Sequence, residues 1–247
     1  MTRSVTAGGC LNRQTADLAT RFGLPQSAAE SLAALLSLLT EDPLAPTTIR
    51  DPGRALRDHV ADALVALELP EVHEARTIAD LGAGAGVPGL PLAIARPQAT
   101  VFLVESNLRK CAFIARAIEA TGATNAVVVP ERAESWPDGI GRCDVVTARA
   151  LAALPTVAEY AAPLLRDGGA LIAWRGRQDP DEEAAAAAAA TELGLRYEAP
   201  VPVRPHPDAA HRHLQRLVKF APTPDRFPRR PGMARKRPLG SPRAKGI

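Results

Sequence analysis

Apolar positions in the first seventy residues recur at helical spacing. They predict three helices: Asn12 to Phe22, Gln26 to Leu39 with leucines at 32, 35, 36 and 39, and Gly53 to Leu69 with Leu56, Val60, Leu64 and Leu67 on one face. From Ile78 the pattern changes to short apolar runs alternating with helical stretches. Strands are expected at 77–82, 100–105, 126–130, 144–148, 170–174, about 195–203 and 213–220, and helices at 88–96, 108–121, about 154–165 and 180–193. Such alternation is the signature of a parallel sheet built from right-handed crossovers. The last two strands have no helix between them, which predicts an antiparallel hairpin at the sheet edge. The resulting expectation is an α/β chain with an N-terminal helical cap (1–70), a Rossmann-like core around a seven-stranded sheet whose last strand is antiparallel (71–224), and a basic, extended tail (225–247).

The stretch Asp80-Leu-Gly-Ala-Gly-Ala-Gly-Val-Pro-Gly89 sits where the first strand gives way to a helix, and it holds four glycines (Gly82, Gly84, Gly86, Gly89). Backbone there can approach a ligand closely, with free amides at a helix start. Glu105, sixteen residues after Gly89, ends the second strand and is placed to accept hydrogen bonds from a ribose diol. The ligand is therefore an adenosine derivative. Gly84-Ala-Gly86-Val-Pro-Gly89 also satisfies the dinucleotide fingerprint, so the glycines alone leave the derivative open. Asp80 decides between them. An acid at the strand end would repel a pyrophosphate yet suits a cationic aminoacyl group and a sulfonium, which favours S-adenosylmethionine over NAD.

Composition sets the compartment and the partner. Three cysteines (Cys10, Cys111, Cys143) without paired spacing argue against a disulfide framework or a zinc site, and point to a reducing cytoplasm. The segment Met1 to Thr15 is polar, and the longest uncharged apolar stretch, Ser31 to Thr40, is too short to span a bilayer, so neither export nor a membrane is expected. The net charge of +3 hides an asymmetry: residues 226–247 hold eight basic residues and no acid, leaving 22 basic against 27 acidic residues in 1–225. A basic strip of this kind commonly sits on phosphates, which makes Arg229, Arg230, Arg235, Lys236 and Arg237 candidate phosphate contacts, with Arg109 and Lys110 after the second strand. The alanine run Ala184 to Ala190 reads as a spacer helix begun by Asp181-Glu182-Glu183.

Two further loops share the sheet edge with Gly82 and Glu105. After the third strand, Arg132-Ala133-Glu134 offers backbone at Ala133 and a carboxylate at Glu134 to a purine. The fourth strand ends in Thr147-Ala-Arg149-Ala, where methyltransferases of this architecture keep residues that face the target. No proline-aromatic device for an exocyclic amine follows, and no cysteine for attack on a pyrimidine carbon. These absences fit methyl transfer to a ring nitrogen with a free lone pair, such as guanine N7, where rate comes from alignment rather than from a base. Arg149 is the candidate for that alignment, holding purine acceptors or a phosphate, and a salt bridge to a nearby acid is the other reading of it.

Taken in order, Ile49-Arg-Asp-Pro, His59-Val-Ala-Asp62-Ala-Leu, the loop Asp80 to Ala95, Arg132-Ala-Glu, Thr147-Ala-Arg-Ala and Phe227-Pro-Arg-Arg-Pro-Gly resemble the RsmG family, also called glucose-inhibited division protein B. The resemblance runs from about Ile49 to Leu239. It implies a class I S-adenosylmethionine-dependent methyltransferase acting on N7 of a guanine in the decoding-region loop of bacterial 16S ribosomal RNA, with that RNA or the small ribosomal subunit as partner and no stable protein partner. Carried over by residue, it implies cofactor contacts at Gly82, Val87, Ala133, Glu134 and Arg149, and a cap-helix pair in His59 and Asp62. There are departures. Ala45-Pro46-Thr47 replaces the family's Asn-Leu-Thr, Leu108-Arg109-Lys110 its Gly-Lys-Arg, and Arg175-Gly176 its Lys-Gly. Positive charge is kept, but the geometry of RNA contact changes.

Two other readings share some of these features. A nicotinamide-dependent oxidoreductase would use the same glycine loop and acid, yet the chain has no Tyr-x-x-x-Lys pair or His–Asp relay placed for hydride chemistry. An RNA-binding assembly factor with a relict pocket would differ in making no methylated product.

Overall fold

In a computed structural model, which describes residues 7–240, the apolar runs pair as β1 (Thr77–Leu81), β2 (Thr100–Val104), β3 (Ala126–Val129), β4 (Cys143–Arg149) and β5 (Leu165–Arg175). All four contacts among them are parallel, in the order β3-β2-β1-β4-β5. Parallel neighbours need crossovers, and α6 (Gly89–Ala95), α7 (Leu108–Thr121) and α8 (Leu154–Ala161) supply three of them. After α9 (Pro180–Glu192) the chain forms β6 (Leu195–Tyr197), β7 (Val201–Pro202) and β8 (His213–Lys219). β8 lies antiparallel against β5 on one side and against β6 and β7 on the other.

The last two strands form the expected antiparallel pair at the sheet edge, with β8 against β5 and the β6–β7 segment outermost. One detail differs from the expected topology. The strand expected over 195–203 is interrupted between Tyr197 and Val201, which gives eight pieces for seven strands. Pro200 lies in the interruption and cannot donate to a ladder. Gln215 fills the gap by donating from Nε2 to the Glu198 carbonyl at 2.6 Å.

Alternating positions of the strands feed two apolar layers. Ile78, Val101, Leu103, Val145 and Ile172 point to the layer that holds Leu90, Leu92, Phe113 and Ile114 of α6 and α7. Ala79, Phe102, Val104, Val146 and Leu171 point to the layer of α8 and α9. The alanine run earns its place in the second layer, where Ala186 and Ala190, one helical turn apart, let α9 approach closely.

The helical cap covers the first layer. α1 (Ala7–Arg21) and α2 (Gln26–Glu41) precede α3 (Pro52–Ala55), whose start is capped by Asp51 accepting from the Arg54 N–H at 2.7 Å. The helix expected over 53–69 is present but not uniform. It widens to π geometry over Leu56–Ala61, tightens in α4 (Asp62–Leu64), ends in a 3₁₀ turn at Val65–Glu68, and is followed by α5 (Pro70–Glu74). Wide turns of this kind frequently mark functional sites, and this one carries His59.

The basic segment does not run out as an extended strip. Phe227 and Ala234 are buried, and a short helix, α10 (Met233–Lys236), lies against α8. Residues 241–247, the end of the expected tail, lie outside the described residues, as do residues 1–6 of the expected cap.

Phe113 is fully buried at the junction of cap, α7 and sheet. Phe113→Ala should cost about 3–5 kcal/mol through lost burial and a residual cavity. A denaturant midpoint that falls while the slope of the transition stays constant would confirm it.

Candidate active site

The loop after β1 is shaped from beneath. Asp80 is 1 % exposed, with Oδ2 accepting from the Gly89 N–H at 2.9 Å and Oδ1 from the Thr147 hydroxyl at 3.0 Å. Burial pushes its carboxyl up to about 7 in spite of both hydrogen bonds. It is therefore a fastener under the loop, and the expected direct service to a cationic ligand group is not what its contacts provide. A Cβ on Gly89 would come within 2.2 Å of Leu103 and 2.9 Å of the Asp80 carboxylate, which is why no side chain fits there. Gly82, Gly84 and Gly86 all take positive φ, and the N–H groups of Gly82 and Ala83 donate to the Val104 carbonyl. At Gly84 a Cβ would meet only the Gly82 carbonyl, at 3.6 Å, so the space above that turn is open.

Beyond the loop, at the carboxyl ends of the strands, lies a cavity of about 370 Å³. Gly82, Glu105, Ala133 and Glu134 line it, as the sequence led one to expect, together with Lys110. Gly86 and Val87 are buried behind the loop and do not line it. Glu105 is 7 % exposed and aimed by its neighbours: Oε1 accepts from the Asn107 N–H at 2.8 Å and Oε2 from the Gly84 N–H at 3.1 Å. Asn107 then caps α7 by accepting from the Arg109 and Lys110 amides, and the Arg109 side chain is exposed. Cys111, just behind, donates from Sγ to the Glu105 carbonyl at 3.0 Å.

Arg149 turns away from this cavity towards the cap. It donates to the Asp62 carboxylate at 3.0 Å, to the Asp58 carbonyl at 2.8 Å and to His59 Nδ1 at 3.2 Å. The salt-bridged reading of Arg149 is thus the one its geometry follows. An arginine can only donate, so His59 Nδ1 accepts and the ring proton sits on Nε2, facing the Thr47 hydroxyl at 2.9 Å. Burial and then the Arg149 charge hold His59 down at about 4, so it is neutral at pH 7. Asp62 also anchors the sheet through its carbonyl, which accepts from Trp174 Nε1 at 2.6 Å. Arg149, Trp174 and Arg212 line a smaller cavity of about 160 Å³ that shares Ala150 and Leu151 with the larger one.

Of the basic segment, Arg229 faces inwards and forks onto buried Glu159 of α8, Nε to Oε1 at 2.6 Å. That pairing raises the Arg229 pKa further. The Gly232 N–H donates to Glu134 Oε1 at 3.1 Å, and Arg235 donates to the Leu151 carbonyl at 2.9 Å. Arg235, itself exposed at the cavity rim, thereby joins Lys110 in lining the 370 Å³ cavity, and Arg230, Lys236 and Arg237 are exposed without lining it. The wall formed by Arg235 and Tyr160 was not foreseen, because Tyr160 reads simply as an apolar-face residue of α8. Among the described residues no cluster of His, Cys, Asp or Glu is placed to hold a metal.

An adenosine with a cationic side chain fits this set of groups: the carboxylates of Glu105, Glu131 and Glu134, the half-buried loop at Ala133, and open space over Gly84. The sheet order with one reversed strand, the glycine loop and the acid at the end of β2 define a class I S-adenosylmethionine-dependent methyltransferase. Solved structures of that architecture match. A 16S rRNA (adenine(1408)-N(1))-methyltransferase from Catenulisporales acidiphilia superposes with a TM-score of 0.51 at 19% identity, over 62% of this chain and 90% of that one. A SAM-dependent methyltransferase from Aquifex aeolicus gives 0.52 at 16% identity, over 68% and 93%. The chain belongs to the GidB family, rRNA small subunit methyltransferase G, whose family model matches residues 29–204. Ribosomal RNA small subunit methyltransferase G of Chloroflexus aggregans is 41% identical over 196 residues, 78% of this chain and 82% of that one. Its counterpart from Deinococcus deserti is 38% identical over 216 residues, 85% and 88%.

Asp80 gives the site a pH signature. Its folded value of about 7 lies above the ordinary 3.8, so the folded chain binds that proton more tightly than the unfolded one. The contribution is complete below about 4 and is lost as pH rises towards 7. Asp80→Asn can keep both contacts, since Thr147 Oγ1 can accept as well as donate. The variant should therefore gain on wild type as pH rises through that window, by about 1.4 kcal/mol per unit of pKa shift as an upper bound. Denaturant midpoints at the two ends of the window check this, and parallel curves would count against it.

Proposed function

We propose that the chain transfers a methyl group from S-adenosylmethionine to N7 of a guanine in the decoding-region loop of 16S ribosomal RNA. The observation that carries this reading is the cavity bounded by Gly82, Glu105, Ala133 and Glu134 in a member of the rRNA small subunit methyltransferase G family. S-adenosylmethionine supplies an electrophilic methyl group on a sulfonium, and the chain has to hold and orient it. Glu105, already aimed by two backbone amides, accepts from the ribose diol. Ala133 and Glu134 meet the purine edge. Gly82 and Gly84 let backbone pass beside the rest, while Asp80, Gly86 and Val87 support the loop from behind.

Methylation of a ring nitrogen needs no proton removed first, and the residues around the site agree with that. His59 is neutral, with its acceptor nitrogen engaged by Arg149. Burial pushes the Cys143 thiol up to about 12 and raises that of Cys111, so neither is a ready nucleophile. Rate then comes from alignment. Arg149 serves it as a positioning residue by fixing the wide turn of the cap against the end of β4. Phosphates of the RNA meet Arg109, Arg230, Lys236 and Arg237, all exposed, and Arg229 is left out because Glu159 holds it. The division of labour is a cap over 1–70, a catalytic core over 71–224 and a basic C-terminal segment. Among the described residues no helix is long and apolar enough to cross a membrane. A ribosomal RNA substrate supports a cytoplasmic location.

Small subunits or 16S RNA fragments treated with the protein and digested to nucleosides should yield 7-methylguanosine. A methyl group on an exocyclic amine or on carbon would refute the assignment. Single-turnover rates should show no rise through a pKa near 6–7 that His59→Ala removes. Glu105→Ala should weaken S-adenosylmethionine binding by roughly 1.5–3 kcal/mol for each charge-assisted bond lost. Calorimetry that finds an unchanged dissociation constant in the folded variant would remove Glu105 from the site.

A further inference from the structure

Residues 226–240 lie beyond the 29–204 stretch that the family model matches, yet they close one side of the cofactor cavity. Polar contacts hold this strap down. Arg229 forks onto Glu159, Gly232 donates its N–H to Glu134, and Arg235 donates to the Leu151 carbonyl. Apolar packing adds to them, with Phe227 at 7 % and Ala234 at 2 % exposure, and the Thr156 hydroxyl reaches the Ala234 carbonyl at 3.3 Å. Glu159 is 1 % exposed, and a carboxylate at that depth is costly without its partner, so the anchor and the fold of α8 support each other.

The strap has two faces. Its cavity side carries Arg235, exposed yet lining the cavity together with Lys110 of α7, and it occupies one oxygen of Glu134, the same carboxylate assigned to the purine edge. Its outer face presents Arg230, Lys236 and Arg237 to solvent. Arg109, next to Lys110, is exposed on the other flank of the cavity. An RNA backbone that spans both flanks touches all four cations only while the strap is down. It therefore has the differential contact that a shift of equilibrium requires.

We propose that the strap is a wall of the cofactor site, with Arg229 as its anchor and Arg235 as a cofactor-positioning residue, and that ribosomal RNA bound across its outer face holds the cofactor in. The RNA half rests on the function proposed above. Coupling of this kind is reciprocal: the cofactor must tighten RNA binding by the same factor that RNA tightens cofactor binding.

The test is the dissociation rate of labelled S-adenosylhomocysteine from the full chain, with and without a 16S RNA fragment carrying the decoding-region loop. RNA should slow release from wild type by about fivefold or more. Arg229→Lys keeps a charge opposite Glu159 but loses the fork, and it should release the cofactor several-fold faster with little further response to RNA. The surface triple Arg230→Ser, Lys236→Ser, Arg237→Ser should release at the wild-type rate without RNA and lose the slowing with it. Equal release from wild type and Arg229→Lys would overturn the wall. Equal release with and without bound RNA would overturn the coupling. A chain that binds no ribosomal RNA would overturn the functional reading and the coupling together, while the Arg229→Lys comparison, run without RNA, still decides the wall.

Discussion

The catalytic edge depends on one buried carboxyl group. Asp80 and Thr147 are register partners on adjacent parallel strands, and the hydrogen bond between their side chains locks the ends of β1 and β4 together. The other Asp80 oxygen pins the first amide of α6, which obliges the chain to climb from strand to helix in a tight arch. Glycines follow from that arch, since Gly89 has no room for a Cβ and Gly82, Gly84 and Gly86 take positive φ. The arch brings the Gly84 N–H onto Glu105, so the acid at the end of β2 is oriented before any ligand arrives. Preorganisation of that sort lowers the cost of ordering a site on binding.

A second polar cluster joins the cap to the sheet. Asp62 is 2 % exposed and meets Arg149 through its carboxylate and Trp174 through its carbonyl, so one residue of the cap grips both β4 and β5. The π turn at Leu56–Ala61 puts Asp58 and His59 on the same arginine. The effect is to hold Arg149 beside the smaller cavity, which shares Ala150 and Leu151 with the larger one.

Legibility in the sequence followed the range of the interactions. The glycine loop, Glu105 and Ala133-Glu134 could be read because each depends on its own strand end and a short turn, and spacing along the chain records both. The helix over 53–69 was readable in extent but not in its wide turn, which hydrophobic periodicity does not resolve. The partner of Arg149 lies 87 residues away, so sequence left two readings open where the fold allows one. The strap was misread for the same reason. Its prolines and cations suggest an extended, solvated strip, but the contact that folds it joins Arg229 to Glu159 across 70 residues, and α8 looks apolar around that acid. The antiparallel edge was legible because its two strands follow one another without a helix between them.

The central claim is that a single cavity, walled by the glycine loop, the end of β2, the loop after β3 and the strap, receives the cofactor. A crystal structure of the full chain grown with S-adenosylhomocysteine tests it most directly. The expected result is ligand density between Gly82, Glu105 and Ala133, with a carboxylate oxygen of Glu105 on the ribose and the Arg229–Glu159 pair intact. Density for the ligand in the smaller cavity beside Arg149, or a ligand in the larger one with residues 226–240 displaced from α8, would contradict it.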